Sequence, residues 1–256
     1  MASTSEKIQI ICNWLNEKKQ ETNLKCFVVG VSGGVDSALT STLCAKSGVN
    51  TIVVSMPIHQ KQEQLEYARA HIDWLQKTYD NVSYVEKDLT GVFEVFKETL
   101  SDIKSDLSLA NTRSRIRMTA LYQIAQVNQG LVVGTGNKVE DFGVGFFTKY
   151  GDGGVDISPI ADLMKSEVTA MARALHVSEE ICLAPPTDGL WDCDRTDEEQ
   201  LGATYSELEW AMNYDRKSDK TQINAKQTRI LELYYDWHNK NKHKMVPIPI
   251  CKFDGE

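Results

Sequence analysis

The run Cys26-Phe27-Val28-Val29-Gly30-Val31 passes directly into Ser32-Gly33-Gly34-Val35-Asp36-Ser37. The apolar stretch predicts a buried strand. The residues after the glycines predict a helix through Ala38, Leu39, Thr42 and Leu43 that stops near Gly48. Two glycines let the backbone turn sharply and come close to a ligand. The first N–H groups of the helix have no partner inside it, so a strand–glycine turn–helix of this kind is an anion site. Ser32 and Ser37 add hydroxyl donors. Asp36 repels a phosphate, so its sensible role there is to hold a Mg²⁺ that bridges to phosphate oxygens. The same residues also read as a plain structural turn with its N-cap, and composition does not separate the two.

The pattern repeats along the chain. Strand runs fall at Thr51 to Met56, Val82 to Val85 and Leu131 to Gly134. Helical stripes fall at Ile8, Ile11, Cys12 and Leu15, at Leu65, Ala68, Ile72 and Leu75, and at Ile116, Ala120, Ile124 and Val127. Strands alternating with helices of this length predict an α/β protein, a parallel sheet covered on both faces. The 256 residues make one large domain or two small ones at most. No apolar run is long enough to cross a bilayer. A net charge of −8 without a basic tract argues against nucleic-acid binding. None of the six cysteines forms a Cys-x-x-Cys pair, so neither a zinc ribbon nor a thioredoxin-like motif is supported. Cys12, Cys26 and Cys44 read as reduced core thiols, and the N-terminus lacks a signal-peptide pattern; both point to the cytoplasm.

The last third reads differently. Residues 141–154 hold five glycines, which predicts an irregular segment, and Thr187 to Asp194 predicts a loop. Two capping boxes follow, Thr196 with Glu199 and Thr204 with Glu207. Arg216 to Lys220 reads as exposed. A C-terminal helix runs through Ile223, Ile230, Leu233, Tyr234 and Trp237, and His243 to Pro247 reads as a terminal loop.

The glycine turn is neither a Walker loop nor Gly-x-Gly-x-x-Gly. It resembles the pyrophosphate loop of the N-type ATP pyrophosphatases, which cleave ATP between the α and β phosphates and adenylate a substrate. Four further blocks narrow the resemblance: Asn111 to Met118, Gly134-Thr135-Gly136-Asn137-Lys138-Val139-Glu140 with Gly145 to Ile157, Pro186 to Trp191, and His243-Lys244. In order, they look like the ammonia-dependent NAD synthetases over about residues 5–250.

The resemblance implies a doubly wound, Rossmann-like sheet of five parallel strands in a single domain over residues 1–256, with a C-terminal helical part from about 197. It implies ATP as co-substrate at Gly30, Val31, Ser32, Gly33, Gly34, Val35, Asp36, Ser37, Thr135, Lys165 and Thr187, with Asp36 and Glu140 as Mg²⁺ ligands. Asn111, Arg115, Lys149, Asp156, His243 and Lys244 match deamido-NAD contacts. Asp152 and Lys165 are the expected catalytic residues, Asp152 for ammonium and Lys165 for the phosphates. Asn111 and Arg115 stand at i, i+4 and share a helix face. Without the motif, Glu140 reads as a solvated loop charge, His243-Lys244 as an exposed basic turn, and at least one of Arg113, Arg115 and Arg117 as a surface charge. The stretch from Glu140 to Gly145 looks one residue longer than in the short bacterial form. The family implies a homodimer with neither nucleic acid nor membrane as partner. Ammonia is either free or supplied by a separate glutaminase subunit. The rival readings are an ATP pyrophosphatase acting on another carboxylate, and a non-catalytic nucleotide-binding protein.

Overall fold

The computed structural model describes residues 2–187, 189–190, 196–214 and 223–253. Ser3 opens the first helix, α1 (Thr4–Thr22), through a capping box with Glu6. The elements that follow are β1 (Cys26–Gly30), α2 (Val35–Lys46), β2 (Thr51–Ser55), α3 (Gln62–Thr78), β3 (Val82–Glu86), α4 (Thr90–Thr99), α5 (Asp106–Asn128) and β4 (Gly130–Val133). All neighbouring strands are parallel, in the order β3-β2-β1-β4. The chain winds outward from β1 to β3, then returns past β1 to β4. The order therefore reverses between β1 and β4, which leaves a crevice at their C-terminal ends.

Strand side chains alternate between two apolar layers. Phe27, Val29, Leu131 and Val133 pack with Ile11 and Leu15 of α1 and with Leu39 and Leu43 of α2. Val28, Ile52, Val54 and Val132 face Ala120, Leu121 and Ala125 of α5. Burial on both faces explains why β1 and β2 read as continuous apolar runs rather than alternating ones.

The expected fifth strand is absent among the described residues. Beside β4 there is a single parallel bridge, Val133 to Ile157. The reason is local: the Asp156 carboxylate accepts the Val132 N–H at 2.8 Å, taking the place of a strand carbonyl. Three residues later Pro159 has no N–H with which to continue a ladder.

A second apolar cluster lies beyond the sheet. It joins a π-helix (Lys138–Val144) to α8 (Asp197–Leu201), α9 (Tyr205–Asn213) and α10 (Ala225–Met245). Between them, α6 (Lys165–Ala174) and α7 (Glu179–Leu183) pack back on the first layer. Both capping boxes read from sequence are formed. Two expectations are corrected here. Part of the glycine-rich segment is a regular π-helix, and His243-Lys244 is the last turn of α10 rather than a loop. Two contacts hold that helix end down: Asn241 Nδ2 donates to the Val144 carbonyl at 2.9 Å, and Lys244 Nζ to the Phe147 carbonyl at 2.7 Å.

Candidate functional site

A cavity of about 550 Å³ opens at the switch between β1 and β4. The Gly30 to Ser37 turn forms its floor. Gly33 has φ +94°, and a Cβ there would lie 2.5 Å from the Gln64 carbonyl of α3. Only glycine fits that conformation and that approach. The loop is braced from within, since Ser37 Oγ donates to the Gly34 carbonyl at 2.9 Å and sits 3.1 Å from Ser32 Oγ. Gly34 caps α2 with no side-chain hydrogen bond, so the first N–H groups of the helix are left for a ligand.

Asp36 lies in the first turn of α2 and Glu140 in the π-helix; Lys165, which starts α6, joins them. Its Nζ donates to Asp36 Oδ2 at 2.5 Å and to Glu140 Oε1 at 3.0 Å. One cation facing two carboxylates leaves the trio with a net negative charge. Burial pushes the Asp36 carboxyl above its usual range; Lys165 opposes the rise and Glu140 adds to it. Burial acts the same way on Glu140, but Lys165 and the Tyr205 hydroxyl outweigh it and hold this carboxyl below the usual range. Burial alone would favour a neutral Lys165; the two carboxylates overturn that and keep it protonated.

Asn137 ties the two carboxylates together. It is fully buried, its Oδ1 accepts from the Val139 and Glu140 N–H groups, and its Nδ2 donates to Asp36 Oδ1 at 2.9 Å. From the opposite side, Tyr205 OH donates to Glu140 Oε1 at 2.5 Å. Asp152 Oδ1 accepts from Ser114 Oγ at 2.7 Å and from the Thr148 N–H at 3.0 Å. Burial raises the Asp152 carboxyl above its ordinary value. A Cβ on Gly151 would lie 2.3 Å from Ser114 Oγ, so this glycine lets the loop close on α5.

The residues expected for ATP, metal and catalysis all line this cavity: Gly30 to Ser37, Thr135, Glu140, Asp152, Lys165 and Thr187. Those expected for deamido-NAD do not. Asn111, Arg115, Lys149, His243 and Lys244 gather outside it, around residues 147–149. Thr148 Oγ1 donates to Asn111 Oδ1 at 2.7 Å, Arg115 Nε to the Lys149 carbonyl at 3.3 Å, and Lys149 Nζ to the His243 carbonyl at 3.1 Å. Asn111 and Arg115 do share a face. Asp156 stands apart at the sheet edge, where Tyr122 OH donates to it at 3.0 Å.

Of the three arginines, Arg115 is the exposed one. Arg113 is buried 4.5 Å from the Phe93 ring and donates to the Leu190 carbonyl. Arg117 Nε donates to the Met56 carbonyl at 3.0 Å and lines the cavity. Sequence reasoning missed Ser114, Arg117, Asn137 and Tyr205. The first two had a signal, because Ser114, Arg117, Met118 and Leu121 form an i, i+3, i+4, i+7 stripe that faces the cavity. Cys193, Asp188 and Arg216 to Lys220 lie outside the described residues.

A braced glycine turn, a bare helix start and a lysine between two carboxylates, set at the switch of a parallel sheet, define an α/β protein built to receive a polyphosphate. The chain belongs to the NAD synthase family, whose model matches residues 7–247. It is 36% identical to an NH(3)-dependent NAD(+) synthetase of Mycoplasmopsis pulmonis over 96% of this chain and 91% of that one. Among solved structures it is similar to an NMN synthetase from Francisella tularensis (TM-score 0.88, 31% identity, 99% of this chain and 100% of that one). It is also similar to an NH3-dependent NAD synthetase from Campylobacter jejuni (TM-score 0.80, 25% identity, 98% and 100%).

Proposed function

We infer that this protein is a ligase that amidates deamido-NAD to NAD with ammonia, using ATP and releasing AMP and pyrophosphate. The observation that carries this reading is Lys165 bridging Asp36 and Glu140 above the glycine turn, in a chain that matches the NAD synthase family over residues 7–247. A carboxylate resists attack by ammonia because its leaving group would be oxide. Attack by the nicotinate carboxylate on the α-phosphorus of ATP gives an adenylate and pyrophosphate. Ammonia then attacks the activated carbonyl, and AMP leaves.

The protein positions the reactants and balances charge. The turn from Gly30 to Ser37 and the start of α2 receive the phosphates, and Lys165 stabilises the charge that develops on them. Ser114 and Thr148 hold Asp152 through Oδ1, and the carboxylate so placed would receive ammonium. Asn111, Arg115, Lys149, His243 and Lys244, gathered beside the cavity, would contact the deamido-NAD, whereas the Asp156 carboxylate is taken up by the Val132 N–H and the Tyr122 hydroxyl. The donor set fits Mg²⁺: two carboxylates meet near the phosphate loop, and among the described residues no group of three or more acidic, histidine or cysteine ligands forms a closed cage. Mg²⁺ commonly takes one or two carboxylates and completes its shell with phosphate oxygens and water. Asp36 and Glu140 would hold it, and it would neutralise the departing pyrophosphate.

The test is NAD formation from deamido-NAD, Mg²⁺ and ATP, with ammonium in one arm and glutamine in another. NAD from ammonium alone is expected. Neither D36A nor E140A should turn over, with secondary structure intact. A near-normal rate in either variant would overturn the metal assignment.

A second reading concerns the acid. The similarity to an NMN synthetase raises nicotinate mononucleotide as an alternative acid substrate. Comparing kcat/KM for the two acids decides between them. The relatives named for ammonia lend no support to a separate glutaminase subunit. We also propose a cytoplasmic homodimer. No described helix is long and apolar enough to cross a membrane. The exposed side chains Val92, Val95, Phe96, Leu100, Ile103 and Leu107, from α4 through the connection to the first turn of α5, supply an apolar face for a second copy.

A further inference from the structure

We propose that Tyr205 is a positioning residue: its hydroxyl holds Glu140 in the orientation in which that carboxylate and Asp36 bind the metal. The proposal rests on the assignment of Asp36 and Glu140 above.

Tyr205 belongs to the second apolar cluster and is 7% exposed, so its ring reads at first as core packing. Its hydroxyl does something packing does not require. It donates to Glu140 Oε1 at 2.5 Å, the length of a charge-assisted O–H···O⁻ bond. Asp197 Oδ2 stands farther off, at 3.4 Å, so the proton goes to Glu140. Lys165 Nζ donates to the same Oε1 and lies 4.8 Å from the Tyr205 ring centroid. One side chain thus backs both the lysine and the carboxylate.

The tyrosine is itself anchored. It follows Thr204, which caps α9 in a box with Glu207, and its own N–H donates to Glu198 Oε1 at 2.8 Å. Removing the hydroxyl leaves Oε1 with Lys165 as its remaining side-chain donor among the described residues. The carboxylate is then free to rotate toward that lysine. Removing a hydrogen bond of this kind from a metal ligand costs about 10–100-fold in metal affinity or activity.

Tyr205→Phe keeps the ring and its packing and loses one oxygen. The probe is α,β-methylene-ATP, which is not cleaved, titrated into the full chain by calorimetry with excess Mg²⁺ or with EDTA. Binding with Mg²⁺ should weaken about tenfold in Y205F, while binding in EDTA should change by less than about twofold. Unchanged binding with Mg²⁺ would overturn the proposal. Equal weakening in both arms would also overturn it, because the tyrosine would then act on the nucleotide or the fold. Circular dichroism checks the fold. If Y205F does not fold, E198A, which frees the backbone of Tyr205 from outside the site, is read by the same ratio and the same criteria. E140A runs alongside. If it too leaves the Mg²⁺ dependence intact, the metal assignment falls; if Y205F alone does, only the role of Tyr205 falls.

Discussion

Lys165 is where the charges of the site converge, and a neutral replacement shows what it holds apart. K165M leaves two buried carboxylates facing each other without a cation. We expect kcat to fall on the order of 10²–10³-fold, the scale for losing one preorganised charge-stabilising group. Steady-state kinetics at saturating ATP checks it. Asn137 allows a sharper substitution. An aspartate there still caps the π-helix, but it presents a carboxylate where Asp36 now receives an N–H. N137D should lower the thermal midpoint, because it buries a carboxylate against that of Asp36, and Mg²⁺-dependent nucleotide binding should weaken about 10–100-fold. His71 adds a pH dependence of stability. Its Nε2 lies 3.0 Å from Ser41 Oγ, it is 3% exposed, and burial lowers its pKa to about 4. The folded state keeps the ring neutral, whereas the unfolded state titrates near 6.5. This contribution is therefore complete above pH 6.5 and is lost as pH falls toward 4, up to about 3 kcal/mol. Urea melts of the parental protein and H71Q should converge across that interval. Asp36 was legible in the sequence because its neighbours make the loop. Glu140 and Lys165 were legible only through the family's motifs. Asn137 and Tyr205 were not assigned, since their roles arise from contacts across 101 and 65 residues.

The elements were legible where a single period governs them. β1, β2, β3, β4 and the helices α1, α2, α3 and α5 follow from apolar spacing, and α8 and α9 from their capping boxes. The π-helix had no such signal, because an irregular glycine-rich stretch hides its period. Its i to i+5 repeat brings Val139 and Val144, both fully buried, to one side against α9 and α10 while Glu140 meets the cavity. The stretch from Glu140 that reads as one residue longer than the short bacterial form falls within this helix up to Val144. Deleting Phe142, which is exposed, should force an α-helical turn and rotate Val144 away from its core. We expect the thermal midpoint to fall and kcat/KM to drop by at least about 10²-fold, since small displacements at a reacting centre cost that much. G33A tests the floor of the cavity. A left-handed residue with its Cβ against the Gln64 carbonyl should destabilise the fold by roughly 1–3 kcal/mol and weaken nucleotide binding in parallel. Denaturant melts and calorimetry report the two effects separately.

At the scale of the molecule, the parallel sheet and its two helical layers were legible from alternation alone. The fifth strand expected from the resemblance does not form among the described residues, because a carboxylate and a proline take its place at the edge of β4. The apolar face from α4 to the first turn of α5 predicts assembly. The parental protein should run as a dimer in light scattering, and V95D/F96D or I103K as a monomer. A monomeric parent would refute the homodimer. The site also has an order of completion. Asp36 meets Asn137 across 101 residues and Lys165 across 129, and Glu140 meets Tyr205 across 65. During translation the phosphate loop leaves the ribosome first, and its acid waits for a counter-charge until α6 has followed. A chain stalled before residue 205 holds the loop and the lysine but lacks the clamp on Glu140. The catalyst is therefore finished late and as a unit, and ribosome-bound fragments should leave the cell's ATP untouched.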